Sequence, residues 1–302
     1  MHVPILKHHK LLTGNGEAPP NSLDALEACL ASGAGAIEFD IRAAGDDRFV
    51  LLHDATLERE TNGIGPVSAI DSDAFAGLTL RGTRGKGDRG RTATLDDAVL
   101  RIAAHGRPLK VQIDLKEIRP LSPALVAALA AAVREMQANP ALEVVVGCIA
   151  DWNLRALRRV YPQAVLGFDP MLYLDLPDAL TDQPGRRVNA YGFFDEHWLG
   201  QRQWLSAADY LNERIQGLIE GFPHARECYL RAGVALAALD AGLDAVAAIR
   251  SVQPDMLIDL WTIDAVTPAD QTALRRLLAL GPDQITTNRA AILGPMIEGW
   301  RG

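Results

Sequence analysis

Short runs of β-branched and apolar residues alternate with longer Ala/Leu-rich segments along the whole chain. Such runs predict strands, and apolar residues spaced three and four apart predict helices. The strand candidates are Ile5–His9, Ala36–Arg42, Leu109–Lys116, Glu143–Cys148, Ala164–Phe168, Glu227–Arg231, Leu257–Thr262 and Gln284–Thr287. Eight strands separated by helices, with no long linker, predict an α/β fold. The reading is one (β/α)8 (TIM) barrel, residues 1–302 forming a single domain. A doubly wound open sheet is the alternative, because periodicity does not report closure. A further run, Phe49–His53, follows the polar break Gly45-Asp46-Asp47 and predicts an extra strand turned back on its neighbour.

Capping signals bound the helices. Asn21, with Asp24 three residues on, is read as a helix start, and Gly33 as its end. Thr94 with Asp97 resembles a capping box, and Ser122-Pro123 and Thr267-Pro268 each place a hydroxyl before a first-turn proline. One stretch breaks the rhythm. Residues 170–226 exceed what a βα unit needs and carry the aromatic run Tyr191–Trp198, Trp204 and a helix around Ala207–Ile219. Such an insertion forms a lid or pocket wall, or a surface helix with its own apolar cluster.

The chemistry concentrates between Gly35 and Pro66. Glu38 and Asp40 share one face of an otherwise apolar strand, since side chains two apart point the same way. Two carboxylates there are costly unless a cation lies between them. Asp114 supplies a third acid from the strand LKVQIDLK. Together the three can hold one divalent cation, the alternative being salt bridges to Arg42 and Lys116. His53 ends the Phe49 run and precedes Asp54, which fixes its tautomer or caps the turn. His8 and His9 end the first strand candidate, and in a regular strand only one of them faces the site. Lys116, two residues beyond Asp114, is a point charge for a phosphoryl oxygen or a counter-ion for the acids. Trp261 offers an apolar wall or a core side chain, and Arg231 is a further phosphate candidate.

Composition narrows the partners. The 302 residues carry a net charge of −8, which disfavours a nucleic-acid or anionic-membrane surface but not a small phosphate ester. No apolar stretch approaches the roughly 18–20 residues of a membrane span, so stable membrane insertion is not expected. The start MHVPILKHHK has too short an apolar stretch for a secretory signal. Three dispersed cysteines, Cys29, Cys148 and Cys228, predict buried free thiols in a reducing cytoplasm. Gly14-Asn15-Gly16 matches neither a P-loop nor a dinucleotide fingerprint, and no Gly-x-Ser-x-Gly elbow is present. Oligomeric state is not legible.

In order, NSLDALEACLASGAGAIEFDIR, FVLLHDATLERETNGIGPVS, VQIDLK, LWTID and GPDQITTNRAAIL resemble the glycerophosphodiester phosphodiesterase family. The HD-x-T-L-x-R-x-TNG stretch at His53–Gly63 is the most specific part. The resemblance covers most of the chain outside 170–226. It implies a TIM barrel and one divalent cation, Mg2+ or Ca2+, with Mn2+ also compatible, held by Glu38, Asp40 and Asp114. It implies catalytic histidines at His53 and after the first strand. Matching Lys10 to the family's arginine selects His9, and matching the apolar residues of the strand selects His8; His9 is preferred. The implied reaction releases an alcohol and glycerol 3-phosphate from a small phosphodiester, a step in lipid metabolism.

The chain departs from the family in its first loop. His9-Lys10-Leu11 stands for His-Arg-Gly, Pro19-Pro20-Asn21 stands for Pro-Glu-Asn, and Leu11–Ala18 is longer than usual. Asp114 stands where Glu is usual. Rival readings are a lyase that stops at a cyclic phosphate, as in sphingomyelinase D-like toxins, and an inactive barrel that binds phosphorylated ligands. An unrelated sugar-phosphate barrel enzyme would require accidental motif matches.

Overall fold

The computed structural model describes residues 3–15, 18–81, 88–174, 176, 180, 204 and 206–300. The aromatic run Tyr191–Trp198 lies outside them, as does Gly16. The residues fall into two compact units, 5–165 with 287–302, and 1–4 with 166–286.

The first unit begins β1 (Ile5–His8), α1 (Leu23–Ser32), β2 (Ala36–Ala43) and β3 (Phe49–Leu51). There follow α2 (Ser72–Ala76), β4 (Thr79–Arg81), β5 (Asp88–Arg91) and α3 (Leu95–Ala103). It continues β6 (Leu109–Leu115), α4 (Pro123–Gln137), β7 (Leu142–Cys148) and α5 (Asp151–Val160). The second unit holds β8 (Val165–Phe168), α6 (Ala207–Gly221), β9 (Ala225–Arg231), α7 (Ala232–Asp240) and α8 (Ala245–Val252). It ends with β10 (Leu257–Trp261), α9 (Pro268–Ala279) and β11 (Gln284–Thr287), and α10 (Ala290–Gly299) returns to the first unit.

The strand order is β1-β11-β10-β9-β8-β7-β6-β2, with β1 also paired to β2 and β3 on the outer side of β2. This is the closed topology of a (β/α)8 barrel, so the open-sheet alternative is excluded. All eight expected barrel strands form, and the Phe49 run pairs antiparallel to β2 as expected. The β4–β5 hairpin was not anticipated. Its strands are short and polar, without the alternation that marks a strand.

Register places the site. In β2, Ile37, Phe39 and Ile41 are fully buried on one face, which leaves Glu38 and Asp40 together on the other. Strands β2 and β6 run parallel with Asp40 opposite Asp114, so acids from two strands meet at one level. The excursion after β3 is anchored by its own apolar cluster, Ala44, Val50, Leu52, Leu57, Val67, Phe75 and Leu80, all buried. That cluster fixes the segment carrying His53.

The capping boxes Thr94/Asp97 and Thr267/Asp270 form, and Ser122 caps α4 with Pro123 in its first turn. The start of α1 differs from expectation. Ser22 is the cap, its hydroxyl accepting from the Ala25 N–H, while Asn21 adopts a left-handed backbone (φ 57°). The Asn21 side chain is drawn away by Asp40, as described below. In the second unit, Gly167 of β8 leaves room for the Tyr229 ring, which a Cβ would overlap. The three cysteines are buried and none is disulfide-bonded. No single described helix is long and apolar enough to cross a membrane; α7 and α8 reach that length only jointly, bent by 100°.

Candidate active site

Three carboxylates converge in the first unit. Oxygens of Glu38, Asp40 and Asp114 all lie within 4.8 Å of one another. Glu38 and Asp40 are buried and Asp114 is partly open. The main-chain N–H of Lys10 donates to Glu38 Oε2 at 2.7 Å, which its left-handed backbone (φ 52°) makes possible. Leu11, where the family pattern has glycine, is also left-handed (φ 65°) and fully buried, so packing holds a conformation that a bulky side chain disfavours. Asn21 grips Asp40 twice, its Nδ2 donating to Oδ2 (2.8 Å) and its Oδ1 accepting the Asp40 N–H (3.1 Å).

Two ammonium groups sit among these acids. Lys116 Nζ donates to Asp114 Oδ2 at 2.6 Å and pairs with Asp40 Oδ1 at 3.0 Å. Lys10 Nζ lies 3.7 Å from Asp40 Oδ2. Burial alone would pull the Lys116 ammonium down, but Asp114, Asp40 and Glu38 outweigh it and hold it well above its usual value. Burial likewise opposes ionisation of Asp40, yet Lys116, Lys10, His53 and His9 keep it well below the carboxylate range. Glu38 is pushed the other way, by burial first and then by Asp40 and Asp114.

Glu38 Oε1 is buried without a hydrogen-bond partner among the described residues. Such an oxygen is expensive unless something completes it. An all-oxygen donor set of three carboxylates, one with a buried unpartnered oxygen, fits a hard divalent cation such as Mg2+, Ca2+ or Mn2+. Lys116 spans two of these acids, so the salt-bridge reading holds for Lys116 while Arg42 goes elsewhere.

The two adjacent histidines part company. Strand β1 ends at His8 and a 3-10 turn, His9–Leu11, begins, so strand alternation no longer applies. His9 Nδ1 lies 2.8 Å from Asn288 Oδ1, which makes Nδ1 the donor and leaves Nε2 4.0 Å from Glu38 Oε2. Burial, reinforced by Lys10, lowers its pKa to about 4. His8 points away from the acids, with Nδ1 3.1 Å from the Leu12 carbonyl and 3.6 Å from Cys29 Sγ. Burial lowers its pKa too.

His53 enters from the loop after β3. Its Nδ1 meets Asp54 Oδ1 at 2.9 Å, and Arg59 pairs with the same carboxylate oxygen. As at His9, this fixes the tautomer and leaves Nε2 without a hydrogen bond among the described residues. Glu60 accepts the N–H groups of His53 (3.4 Å) and Asp54 (2.8 Å). His53, Asp54 and Glu60 form a second cluster of potential ligands, already engaged by these bonds.

Arg231 and Trp261 belong to the second unit, at the ends of β9 and β10 and opposite each other in register. The guanidinium lies 6.0 Å from the indole centroid, and the buried Trp261 Nε1 has no hydrogen-bond partner among the described residues. The sequence assigns no site role to Lys10, Asn21, Glu60 or Asn288, and Arg42 enters it only as a possible counter-ion for the acids. Asn288 sits in the quoted TTNRA stretch, and Asn21 was absorbed into a capping role.

A family model described as the glycerophosphoryl diester phosphodiesterase family matches residues 13–220. A glycerophosphodiester phosphodiesterase of Caldanaerobacter subterraneus is 27% identical over 150 residues, 49% of this chain and 60% of the relative. A probable glycerophosphodiester phosphodiesterase 1 of Mycobacterium tuberculosis is 31% identical over 104 residues, 32% of this chain and 38% of that protein. The chain thus matches less than two thirds of the length of these curated relatives. Among solved structures, an Oleispira antarctica phosphodiesterase in complex with the product sn-glycerol-3-phosphate superposes with a TM-score of 0.64. It is 17% identical, with 98% of this chain and 97% of that one covered. A glycerophosphodiester phosphodiesterase structure from Agrobacterium tumefaciens gives a TM-score of 0.58 at 16% identity, with 95% of this chain and 97% of that one covered. At these identities the likeness is one of fold.

Proposed function

Because the chain belongs to the glycerophosphoryl diester phosphodiesterase family, we propose that it is a metal-dependent enzyme hydrolysing glycerophosphodiesters to an alcohol and glycerol 3-phosphate. The observation that carries the reading is the meeting of three carboxylates, one with a buried unpartnered oxygen, beside a histidine whose Nδ1 is already engaged. Binding proteins have no need of two histidines held as single tautomers.

Glu38, Asp40 and Asp114 would hold Mg2+, Ca2+ or Mn2+, which when bound offsets charge building on the phosphoryl oxygens. Lys116 and Lys10 supply ammonium groups on the same side, positioned to neutralise a phosphoryl oxygen. Of His9 and His53, one takes a proton from the attacking oxygen, which is either water or the glycerol hydroxyl next to the phosphate, the latter giving a cyclic phosphate that water then opens to glycerol 3-phosphate. The other gives a proton to the departing alcohol oxygen as the P–O bond breaks. Asn288 and Asp54 keep each Nε2 available for this. Both histidines act electrostatically on Asp40, so both belong to one field. Arg231 and Trp261 are proposed to contact the substrate.

The substrate is a small phosphodiester, and the reaction is assigned to lipid metabolism. Three buried thiols, none disulfide-bonded, support a reducing, cytoplasmic setting. The test is phosphorus NMR of a glycerophosphodiester panel incubated with protein and Mg2+, Mn2+ or Ca2+. Glycerol 3-phosphate as the end product supports the hydrolase. A cyclic phosphate that accumulates without opening makes it a lyase, and unchanged substrate removes the catalytic reading.

A further inference from the structure

His53 stands on an irregular stretch beyond β3, yet its main chain is gripped from two directions. Arg42 Nε donates to the His53 carbonyl at 2.9 Å. Glu60 takes the His53 N–H at 3.4 Å and the next N–H at 2.8 Å. Arg42 also reaches the other side of the site. Its Nη1 donates to the carbonyl of Lys116 at 2.7 Å and lies 3.7 Å from Glu117 Oε1. Glu117 in turn accepts the Ala43 N–H at 3.2 Å, so the counter-charge is tied to the same strand end. The Arg42 side chain is 15% exposed.

We propose that Arg42 is a positioning residue, one guanidinium that ties the backbone of His53 to the backbone of Lys116 and so sets the histidine's place relative to the phosphate-binding ammonium. The inference rests on the phosphodiesterase reading above. Arginine suits the task because its planar fork presents donors in fixed directions to two separate carbonyls, whereas lysine's three donors radiate from one nitrogen on a flexible stem. Removing it leaves two carbonyls unpaired and frees the His53 peptide on one face. None of the three acids proposed as metal ligands touches Arg42 among its described bonds, so cation binding and histidine placement are separable.

The experiment compares wild type, Arg42→Ala and Arg42→Lys on glycerophosphocholine with saturating Mn2+. Melting temperature and Mn2+ affinity by calorimetry are measured in parallel. The expected result for Arg42→Ala is a kcat lower by about 30-fold or more, with KM and Mn2+ affinity within about twofold of wild type. Low-millimolar guanidinium should restore much of the lost kcat where equal sodium chloride does not, and Arg42→Lys should stay impaired. A kcat within about twofold of wild type overturns the proposal. So does a loss that guanidinium cannot restore and that tracks lost folding or metal binding. Wild-type protein without turnover on any substrate defeats the phosphodiesterase reading instead. The clamp is then judged by amide exchange: faster exchange at His53 and Asp54 in Arg42→Ala supports it, and unchanged exchange overturns it.

Discussion

His9 and Asn288 meet across 279 residues of chain, Nδ1 to Oδ1 at 2.8 Å. The carboxamide oxygen accepts, so the imidazole carries its proton on Nδ1 and directs Nε2 toward Glu38. Asn288→Ala removes that orientation and should lower kcat about tenfold or more, the scale of one buried hydrogen bond. Asn288→Asp keeps the acceptor and adds a negative charge, which favours the imidazolium and raises the histidine's pKa. The limb of the pH–rate profile set by His9 should move to higher pH than in wild type, the acidic limb if His9 is the base and the basic limb if it is the acid.

The neighbouring histidines provide an internal control. His9→Gln should abolish turnover while leaving the fold intact. His8→Gln removes a ring that bonds only Leu12 and Cys29 in the described contacts, and should retain most of the wild-type kcat. Equal losses in both would mean that the first-strand histidine has been misassigned.

Glu38 carries a cost in the metal-free protein. Its pKa is raised in the fold by burial and by Asp40 and Asp114, so the folded state holds the proton more tightly than the unfolded one. That makes stability fall as pH rises from the ordinary glutamate value of 4.5 up to the raised folded value. Glu38→Gln should therefore match wild type in melting temperature near the acid end of this window and exceed it above. In the presence of EDTA at neutral pH a gain of about 1–3 kcal/mol is expected, the cost of an uncompensated buried group. Adding Mg2+ or Mn2+ should raise the melting temperature of wild type and leave Glu38→Gln unmoved.

The thiols should be silent. Burial pushes Cys29 up to about 12, and burial followed by Asp169 and Asp259 raises Cys228 further. At pH 8 a thiol like Cys29 is thiolate in only about one part in ten thousand, and the reagent cannot reach it. Ellman titration should find no reactive cysteine in native protein and all three after unfolding.

Much of this was legible in the chain because the governing patterns are local. Period-two placement of Glu38 and Asp40, and the apolar runs flanking Asp114, needed no tertiary knowledge. Hydroxyl–proline pairs at Ser122 and Thr267 marked their helix starts directly. The pairing of His9 with Asn288 and of Arg42 with two carbonyls was not readable, since long-range partners leave no spacing signature. Asn21 shows a competition between roles. A carboxamide before a helix reads as a cap, but here the Ser22 hydroxyl takes the cap while Asp40 claims the amide. His9 escaped the strand rule because the strand stops one residue earlier and a 3-10 turn resets which way the side chain points.

The most direct measurement is release of glycerol 3-phosphate from glycerophosphodiesters by wild type, Glu38→Ala and His53→Ala, with and without Mg2+, Mn2+ or Ca2+. The expected release requires a divalent cation and disappears in both variants while their folds persist. Release that is indifferent to chelation, or that survives in either variant, would contradict the proposed function.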